Sequence, residues 1–404
     1  MSASIQASFA DLLLQNFLHA EYNWYVKENP SDLINVINWR GHIGSVFQSL
    51  FQLLIDFFLV IIIFLGLLLV EPAITITVFF ILGSLSGFIF INVKKRIDRE
   101  SKLVSELERE SFIESAKAVQ GLKDVKVFIK EKHFNNLFSS RVYELAKLLG
   151  KQQVLVSVPV WILEVLGFFI LIFTILGMLL FLEIPNEEIF SIIALIAVAS
   201  WRLLPALSRI SSSITQIRIS IPFTERIITY MGKPPKEILY NYNSNEIIKH
   251  YFSEAIYFKN ISFAYKDNGE RALKKISCSI EKGTTVGVIG HSGAGKSTFV
   301  DIFIGLLKPI EGKILYDKKV LTDKDLISWR ANIGYVPQFP YIYHGTLAEN
   351  IAFGENYQNI NRKKIYEVCE MASIDFIDSL DNDIETVIGE RGIRLSGGQR
   401  QRVA

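Results

Sequence analysis

Four long apolar runs lie in the first half of the chain and set the strongest limit on its fold. They cover residues 51–70, 73–93, 154–182 and 189–207. Each has about the ~20 residues that a helix needs to cross ~30 Å of hydrocarbon. Half of the residues are apolar and the mean hydropathy is +0.29. Buried helices of a water-soluble domain would not give four such runs before residue 210, so the sequence predicts an all-α transmembrane domain over residues 1–230.

The distribution of lysine and arginine between the links predicts how these spans are oriented in the membrane. The link from residue 94 to residue 151 contains fourteen of them, whereas the two short links at residues 71–72 and 183–188 contain none. Because basic loops stay in the cytosol, residues 94–151 are predicted to lie there. Their dense mixed charge and helical period predict two long helices in water, with a break near Gly121.

A phosphate-binding loop follows the membrane region. Gly290–Ser297 reads GHSGAGKS, which fits the pattern GxxxxGK[ST]. It lies between an apolar run at residues 284–289, predicted as a buried strand, and a helical pattern over residues 296–306. Backbone N–H groups at such a helix start wrap phosphates, Lys296 reaches the β- and γ-phosphates, and the Ser297 hydroxyl ligates Mg²⁺. The candidate residues are Gly290, His291 (through its backbone), Ser292, Gly293, Ala294, Gly295, Lys296, Ser297 and Thr298.

Charge and cysteine content exclude several other classes of protein. The net charge of +2 gives no reason to expect nucleic-acid binding. Cys278 and Cys369 are too few for a disulfide framework or a metal site. Cys278 alternates with apolar residues, which predicts a core position in a strand. Residues 231–252 contain Gly, Pro and repeated Asn, which predicts a linker. No signal peptide is visible at the N-terminus.

The motifs from Tyr265 to the end of the chain resemble the nucleotide-binding domain of ABC transporters and follow its order. This resemblance implies an α/β phosphate-loop ATPase domain over residues 253–404, truncated after its signature. After the phosphate loop come Val336–Pro337–Gln338, then Gly345–Ile351, Ile388–Gly392 and the signature Leu395–Val403.

The resemblance assigns roles to individual residues and to a partner. Tyr265 would stack on adenine, although it also fits a plain core aromatic position. Gln338 would contact Mg²⁺ and the attacking water. The signature residues would face the γ-phosphate held by another subunit, which implies a homodimer or a closely related half-transporter. These signature residues are Ser396, Gly397, Gly398 and Gln399.

The membrane region resembles exporter-type members, and most of all those that flip lipid-linked oligosaccharides. A lipid-linked or amphipathic substrate is therefore implied, with the protein in the bacterial inner membrane and its ATPase domain in the cytoplasm. Residues 9–40 would match a cytosolic loop, and residues 112–128 would hold a coupling helix. The family has six spans, and its catalytic carboxylates follow the signature. The chain is thus expected to be a fragment at both ends, without catalytic residues and inactive alone.

Three charged residues fall inside the apolar runs. Counting ~1.5 Å per residue places Arg202, Asp56 and Glu164 about 21–28 Å from the outer ends of their helices. Charges at this depth are expensive and usually paired or functional. Three interpretations stay open: an ion pair of Arg202 with Asp56 or Glu164, snorkelling to the headgroups, or a contact between Arg202 and an anionic substrate head.

Two functions remain open at the level of the whole protein. The first is an ATP-driven transporter, in which ATP binding closes two ATPase domains and switches a membrane cavity. The alternative is a non-hydrolysing nucleotide-binding membrane module that regulates or partners another subunit.

Overall fold

The computed structural model describes residues 2–70, 72–181, 186–232, 252–266, 269–389 and 395–404. The chain divides into two compact units. The first unit consists of Met1–Tyr242, Asn260–Ile276 and Val288–Gly312. The second consists of Asn243–Lys259, Ser277–Gly287 and Lys313–Ala404. Most of the predicted linker, residues 233–251, lies outside the described residues.

The part of the first unit before residue 233 contains eight described helices. The first three are α1 (Ser2–Leu18), α2 (Tyr22–Tyr25) and α3 (Pro30–Asn38). The long helices are α4 (Arg40–Val70), α5 (Pro72–Gln120), α7 (Glu131–Phe181) and α8 (Asn186–Gly232), with the short α6 (Leu122–Val127) between α5 and α7. The break predicted near Gly121 is present, because α5 ends at Gln120.

Three helical stretches of the described chain are long and apolar enough to cross a membrane, as a multi-pass architecture requires. They lie in Pro30–Val70, Thr75–Gln120 and Glu131–Phe169. The first three predicted runs overlap them, apart from residues 170–182. The fourth predicted run, residues 189–207, lies in α8 but is not one of the three stretches.

Helices α5 and α7 run antiparallel. The Gln152 amide of α7 donates to the buried Ser101 hydroxyl of α5 at 3.0 Å. Further along, Arg141 of α7 lies 3.1 Å from Glu110 of α5. Residue numbers therefore rise along one helix as they fall along the other, and the two contacts fix the register of the pair.

A hydrophobic core joins α1, α3, α4, α5 and α8 away from the apolar spans. Trp39 packs edge-on against the buried Phe223, with ring centroids 5.2 Å apart. Its indole N–H also donates to Glu108 at 3.2 Å. The buried members of this core are Leu13, Val36, Trp39, Ile43, Val104, Phe223 and Ile227.

The rest of the chain has a four-stranded sheet and short helices. The strands are β1 (Ala255–Phe263), β2 (Leu273–Glu281), β3 (Glu311–Tyr316) and β4 (Lys319–Val320), in the order β2-β1-β3-β4. The helices are α9 (Lys296–Ile304), α10 (Leu326–Arg330), α11 (Leu347–Ile351), α12 (Arg362–Met371) and α13 (Gly397–Val403). A core that includes Leu347, Cys369, Ile388 and Val403 packs α11, α12 and α13 together.

Two strand-level predictions are wrong. Residues 284–289 form no strand, and Ile289 is 97% exposed. Cys278 lies in β2 as predicted but is exposed, as are most residues of that strand. The physical reason is shared: the described chain supplies no further strand beside residues 284–289 and no layer over this part of β2.

Candidate nucleotide-binding site

The phosphate loop is a turn built on two glycines in the left-handed conformation. Gly293 has φ +82° and Gly295 has φ +88°, a region that side chains rarely adopt. A Cβ atom on Gly295 would also lie 2.7 Å from the carbonyl oxygen of Ala272. The chain then enters α9 at Lys296, so the loop ends at a helix start, as predicted from the sequence. The N–H groups of the first helical turn have no partners within the helix, which makes this end suited to anions.

Lys296 closes the loop upon itself. Its Nζ donates to the carbonyl oxygens of Gly290 (2.8 Å) and His291 (2.9 Å). The Ala294 N–H donates to the same His291 carbonyl at 3.2 Å. The lysine charge is thus held over the centre of the loop, where a phosphate group would replace the two carbonyl oxygens as its partner.

The two residues after Lys296 differ in their exposure to solvent. The Ser297 side chain is exposed, whereas Thr298 is buried. The Thr298 hydroxyl lies 3.0 Å from the hydroxyl of Tyr265, which follows β1. The Tyr265 ring is half-buried and packs edge-on against Phe263, with centroids 5.0 Å apart. The fold therefore brings Tyr265 to the helix of the phosphate loop.

The side chains near the loop fit a nucleotide with a magnesium ion. The loop offers open backbone N–H groups, one lysine charge and an exposed hydroxyl. On α9, burial raises the pKa of the Asp301 carboxyl. The described residues contain no group of three or more His, Cys, Asp or Glu side chains that could bind a metal by themselves. The exposed Ser297 hydroxyl could serve as one ligand of a magnesium ion, alongside phosphate oxygens of a nucleotide.

Gln338 and the signature belong to the second unit. Gln338 is exposed at a bend of the chain. Ser396 caps α13: its hydroxyl accepts from the Gln399 N–H at 3.2 Å, and the Gln399 side chain accepts from the Ser396 N–H at 2.7 Å. A Cβ atom added to Gly397 or Gly398 would meet nothing within 4 Å. The signature thus presents an open helix start.

The predicted ion pair of Arg202 is wrong. Asp56 is 1% exposed and accepts from Arg209, with Nη2 at 2.7 Å and Nε at 3.0 Å. The Gln52 amide donates to the same carboxylate at 2.7 Å. Arg202 and Glu164 are exposed. The prediction counted residues from the helix ends and so assumed that α4 and α8 start at the same level. In the structure, the partner of Asp56 on α8 lies seven residues, or about two turns, further along than that count predicts.

Two of these contacts were missed in the sequence. Arg209 lies seven residues after Arg202, hence on the same side of a helix, and this spacing was the available signal. The bond between Tyr265 and Thr298 joins residues 33 positions apart. No local pattern predicts a contact at that separation.

Comparison with known proteins agrees with this geometry. Residues 273–404 match the family model described as ABC transporter. The ATP-dependent lipid A-core flippase of Shigella sonnei (strain Ss046) is 41% identical over 148 residues, which are 36% of this chain and 25% of the relative. The protein of the same name from Escherichia coli (strain K12) is 40% identical over the same shares. The alignments thus span a quarter of the length of these curated relatives.

A solved structure matches the whole chain. A bacterial Atm1-family ABC exporter with ATP bound superimposes with a TM-score of 0.83, covering 100% of this chain and 70% of the other. The identity is 19%, so this similarity concerns the fold. The chain has the fold of an ABC exporter, in which a long helical region is followed by a domain with a phosphate loop.

Proposed function

We propose that this chain is the ATP-binding subunit of an ATP-driven transmembrane transporter that exports or flips a lipid-linked or amphipathic substrate. One observation carries the proposal: a phosphate loop with its lysine held across it occurs in a chain with several membrane-length helices. Neither feature alone points to transport, but a nucleotide motor fused to membrane helices does. The lipid-like substrate is inferred from the name of the flippase relatives.

The nucleotide would be held by the loop and by Tyr265. Backbone N–H groups from Gly290 to Thr298 would surround the phosphates, and Lys296 would bind the β- and γ-phosphates. Ser297 and Gln338 would ligate Mg²⁺. The Tyr265 ring would stack on adenine, because an aromatic face offers contact area without base specificity.

A second subunit would complete each site. The open helix start at Ser396, Gly397 and Gly398 suits the γ-phosphate of a nucleotide bound to another chain. A two-fold pair, either a homodimer or two related half-transporters, would form two such sites, each completed by the signature of the other subunit. ATP would drive the pair by binding its closed state more tightly than its open state.

The substrate path would lie among the membrane helices, and the protein would sit in the bacterial inner membrane with its ATPase domain in the cytoplasm. Arg202 and Glu164 are exposed, so they are available to a substrate head. Asp56 is already bound by Arg209, so its role there would be to position that arginine.

Nucleotide binding provides the direct test. In detergent, the protein should bind a fluorescent ATP analogue, and Lys296→Ala should weaken binding at least about tenfold, because a charge-assisted contact to phosphate is lost. Lys313→Ala, which removes an exposed lysine outside the loop, is the matched control. Equal affinity in the Lys296 variant and the control would reject the site.

Transport is tested separately in proteoliposomes. In proteoliposomes of the full-length parent protein, ATP should accelerate the movement of a fluorescent phospholipid between leaflets, and its Lys296→Ala variant should not respond. Nucleotide binding without ATP hydrolysis or lipid movement would instead favour the regulatory membrane module.

A further inference from the structure

The antiparallel pair α5–α7 brings two basic segments next to each other near the predicted membrane boundary. The contact between Gln152 and Ser101 sets residues just before 152 beside residues just after 101. The predicted span of α5 ends at residue 93, and that of α7 starts at residue 154. In this register the two predicted span ends lie about six residues, or about 9 Å, apart along the pair, so the membrane boundary falls between these two levels. Both helices carry lysines or arginines at or just beyond it.

Seven exposed cations form this region, which we name the basic collar. It consists of Lys94, Lys95, Arg96, Arg99, Lys102, Lys147 and Lys151. None of them forms an ion pair with a carboxylate in the described part of the chain. The nearby Asp98 does not neutralise them, because it is bound by Arg218 at 3.2 Å. Among the described residues, no direct ion pair therefore neutralises the collar.

The collar also faces outward. Lys95, Arg99 and Lys102 recur every three or four residues and so share one side of α5. The buried residues Ile97 and Ser101 occupy the opposite side, toward the other helices. These three cations therefore point away from the helix bundle.

We propose that the basic collar binds the phosphate-bearing headgroups of anionic phospholipids in the cytosolic leaflet. The inference rests on the membrane orientation in the proposed function. At ~1.5 Å per residue, Lys94 to Arg99 lie within about 9 Å of the end of the span. Long basic side chains extend further toward the headgroups, and the Debye length is about 8 Å. Each cation so placed contributes about fivefold to the affinity for an anionic surface.

Lipid selectivity in a bilayer measures this directly. The full chain is reconstituted in phosphatidylcholine with a trace of spin-labelled phosphatidylglycerol or phosphatidylcholine, and the immobilised fraction is read by electron paramagnetic resonance. We expect phosphatidylglycerol to be preferred by about fivefold or more, and less so at high salt. The triple variant Lys95→Gln/Arg99→Gln/Lys102→Gln should lower the preference at least about twofold relative to wild type, and the four remaining collar cations should keep the rest.

A matched triple variant tests position against charge. Lys123→Gln/Lys130→Gln/Lys132→Gln removes the same charge from exposed side chains. These lie near the far ends of the two helices, with Lys132 about 28 Å from Lys151 along α7. This control should keep the wild-type preference. No preference in the wild type, or an equal loss in both triple variants, would overturn the proposal.

Two further arms separate the alternatives. Displacement of spin-labelled phosphatidylglycerol by an equal concentration of inorganic phosphate would mean that the collar binds free phosphate, not lipid, and would overturn it. Binding of a short RNA in detergent, lost in the collar variant, would overturn it in favour of nucleic acid.

Binding of the fluorescent ATP analogue is measured on the same samples. Intact ATP binding without lipid preference would reject the collar alone, whereas lost ATP binding would reject the proposed function.

Discussion

At the scale of single residues, Gly295 is the most constrained position of the phosphate loop. Gly295→Ala combines a left-handed backbone with a clash against Ala272, so we expect at least about tenfold weaker ATP binding and a loss of about 1–3 kcal/mol in stability. Gly354→Ala is the control, since Gly354 has φ +85° but open space around it. Fluorescence titration and thermal melting measure both. If the two variants melt alike and bind ATP alike, the close contact does not matter.

Tyr265 allows its two roles to be separated. Tyr265→Phe removes the bond to Thr298 but keeps the ring, so we expect a stability loss of about 1 kcal/mol and ATP affinity within about threefold of wild type. Tyr265→Ala removes the stacking surface as well and should weaken ATP binding by about tenfold or more. Similar ATP affinities for the alanine and phenylalanine variants would identify Tyr265 as a core aromatic residue only.

At the scale of helices and strands, the register of α4 against α8 depends on the pair of Asp56 and Arg209. Arg209→Gln leaves a buried carboxylate without its cation, so we expect stability to fall by about 1–4 kcal/mol. Asp56→Asn combined with Arg209→Gln should recover part of this loss. Arg202→Gln, at an exposed arginine on the same helix, is the control. Thermal melting in detergent that ranks Arg202→Gln as the more damaging change would contradict the structure.

Asp325, in the turn after the hairpin of β3 and β4, should make the stability of the fold depend on pH. Burial alone would raise the pKa of the Asp325 carboxyl, but hydrogen bonds from Lys319 and Thr322 lower it to about 2. Because this value is below the ordinary 3.8, the group stabilises the fold above pH 3.8, and the contribution is lost as the pH falls toward 2. Asp325→Asn should cost about 1 kcal/mol at pH 7 and remove that part of the acid sensitivity. Denaturant unfolding at pH 3 and pH 7 measures the difference. If Asp325→Asn loses as much unfolding free energy between pH 7 and pH 3 as the wild type does, the Asp325 carboxylate is not the source of this acid sensitivity.

Helices were predictable from the sequence to a much greater degree than strands. An apolar run or a helical period is local, so the long helices and the break near Gly121 follow from the residues themselves. Residues 284–289 have the composition of a strand, yet a strand exists only where a neighbour pairs with it. The helix start that ends the phosphate loop was predicted from a motif. The pairing of Asp56 with Arg209 required the packing of two helices, which residue counting cannot supply.

At the scale of the whole molecule, the signature is expected to act on a second subunit, and Ser396 offers a way to test this without unfolding α13. Ser396→Asp keeps an oxygen that can cap the helix but places a negative charge where a phosphate would lie. We expect normal melting and normal binding of ATP to the chain's own loop, but at least about tenfold less ATP-dependent association of subunits. Mass photometry with and without ATP measures it. Ser396→Thr, which keeps both the cap and the neutral charge, should associate as wild type does. Unchanged ATP-dependent pairing of the aspartate variant would exclude the signature from the subunit contact.

Helix α7 contains 51 residues, with Pro159 inside it, where the missing N–H leaves one helical hydrogen bond unmade. At ~1.5 Å per residue it is a rod about 76 Å long, more than twice the thickness of the hydrocarbon layer. Such a rod acts as a lever: a tilt of about 5° about one end shifts the other end by about 7 Å, with no hydrogen bond broken along its length. Helix α5, with 49 residues, runs beside it in the opposite direction and is held to it at two levels. A small rotation of the two helices about the end where α6 joins them would therefore displace their distant ends by several ångströms.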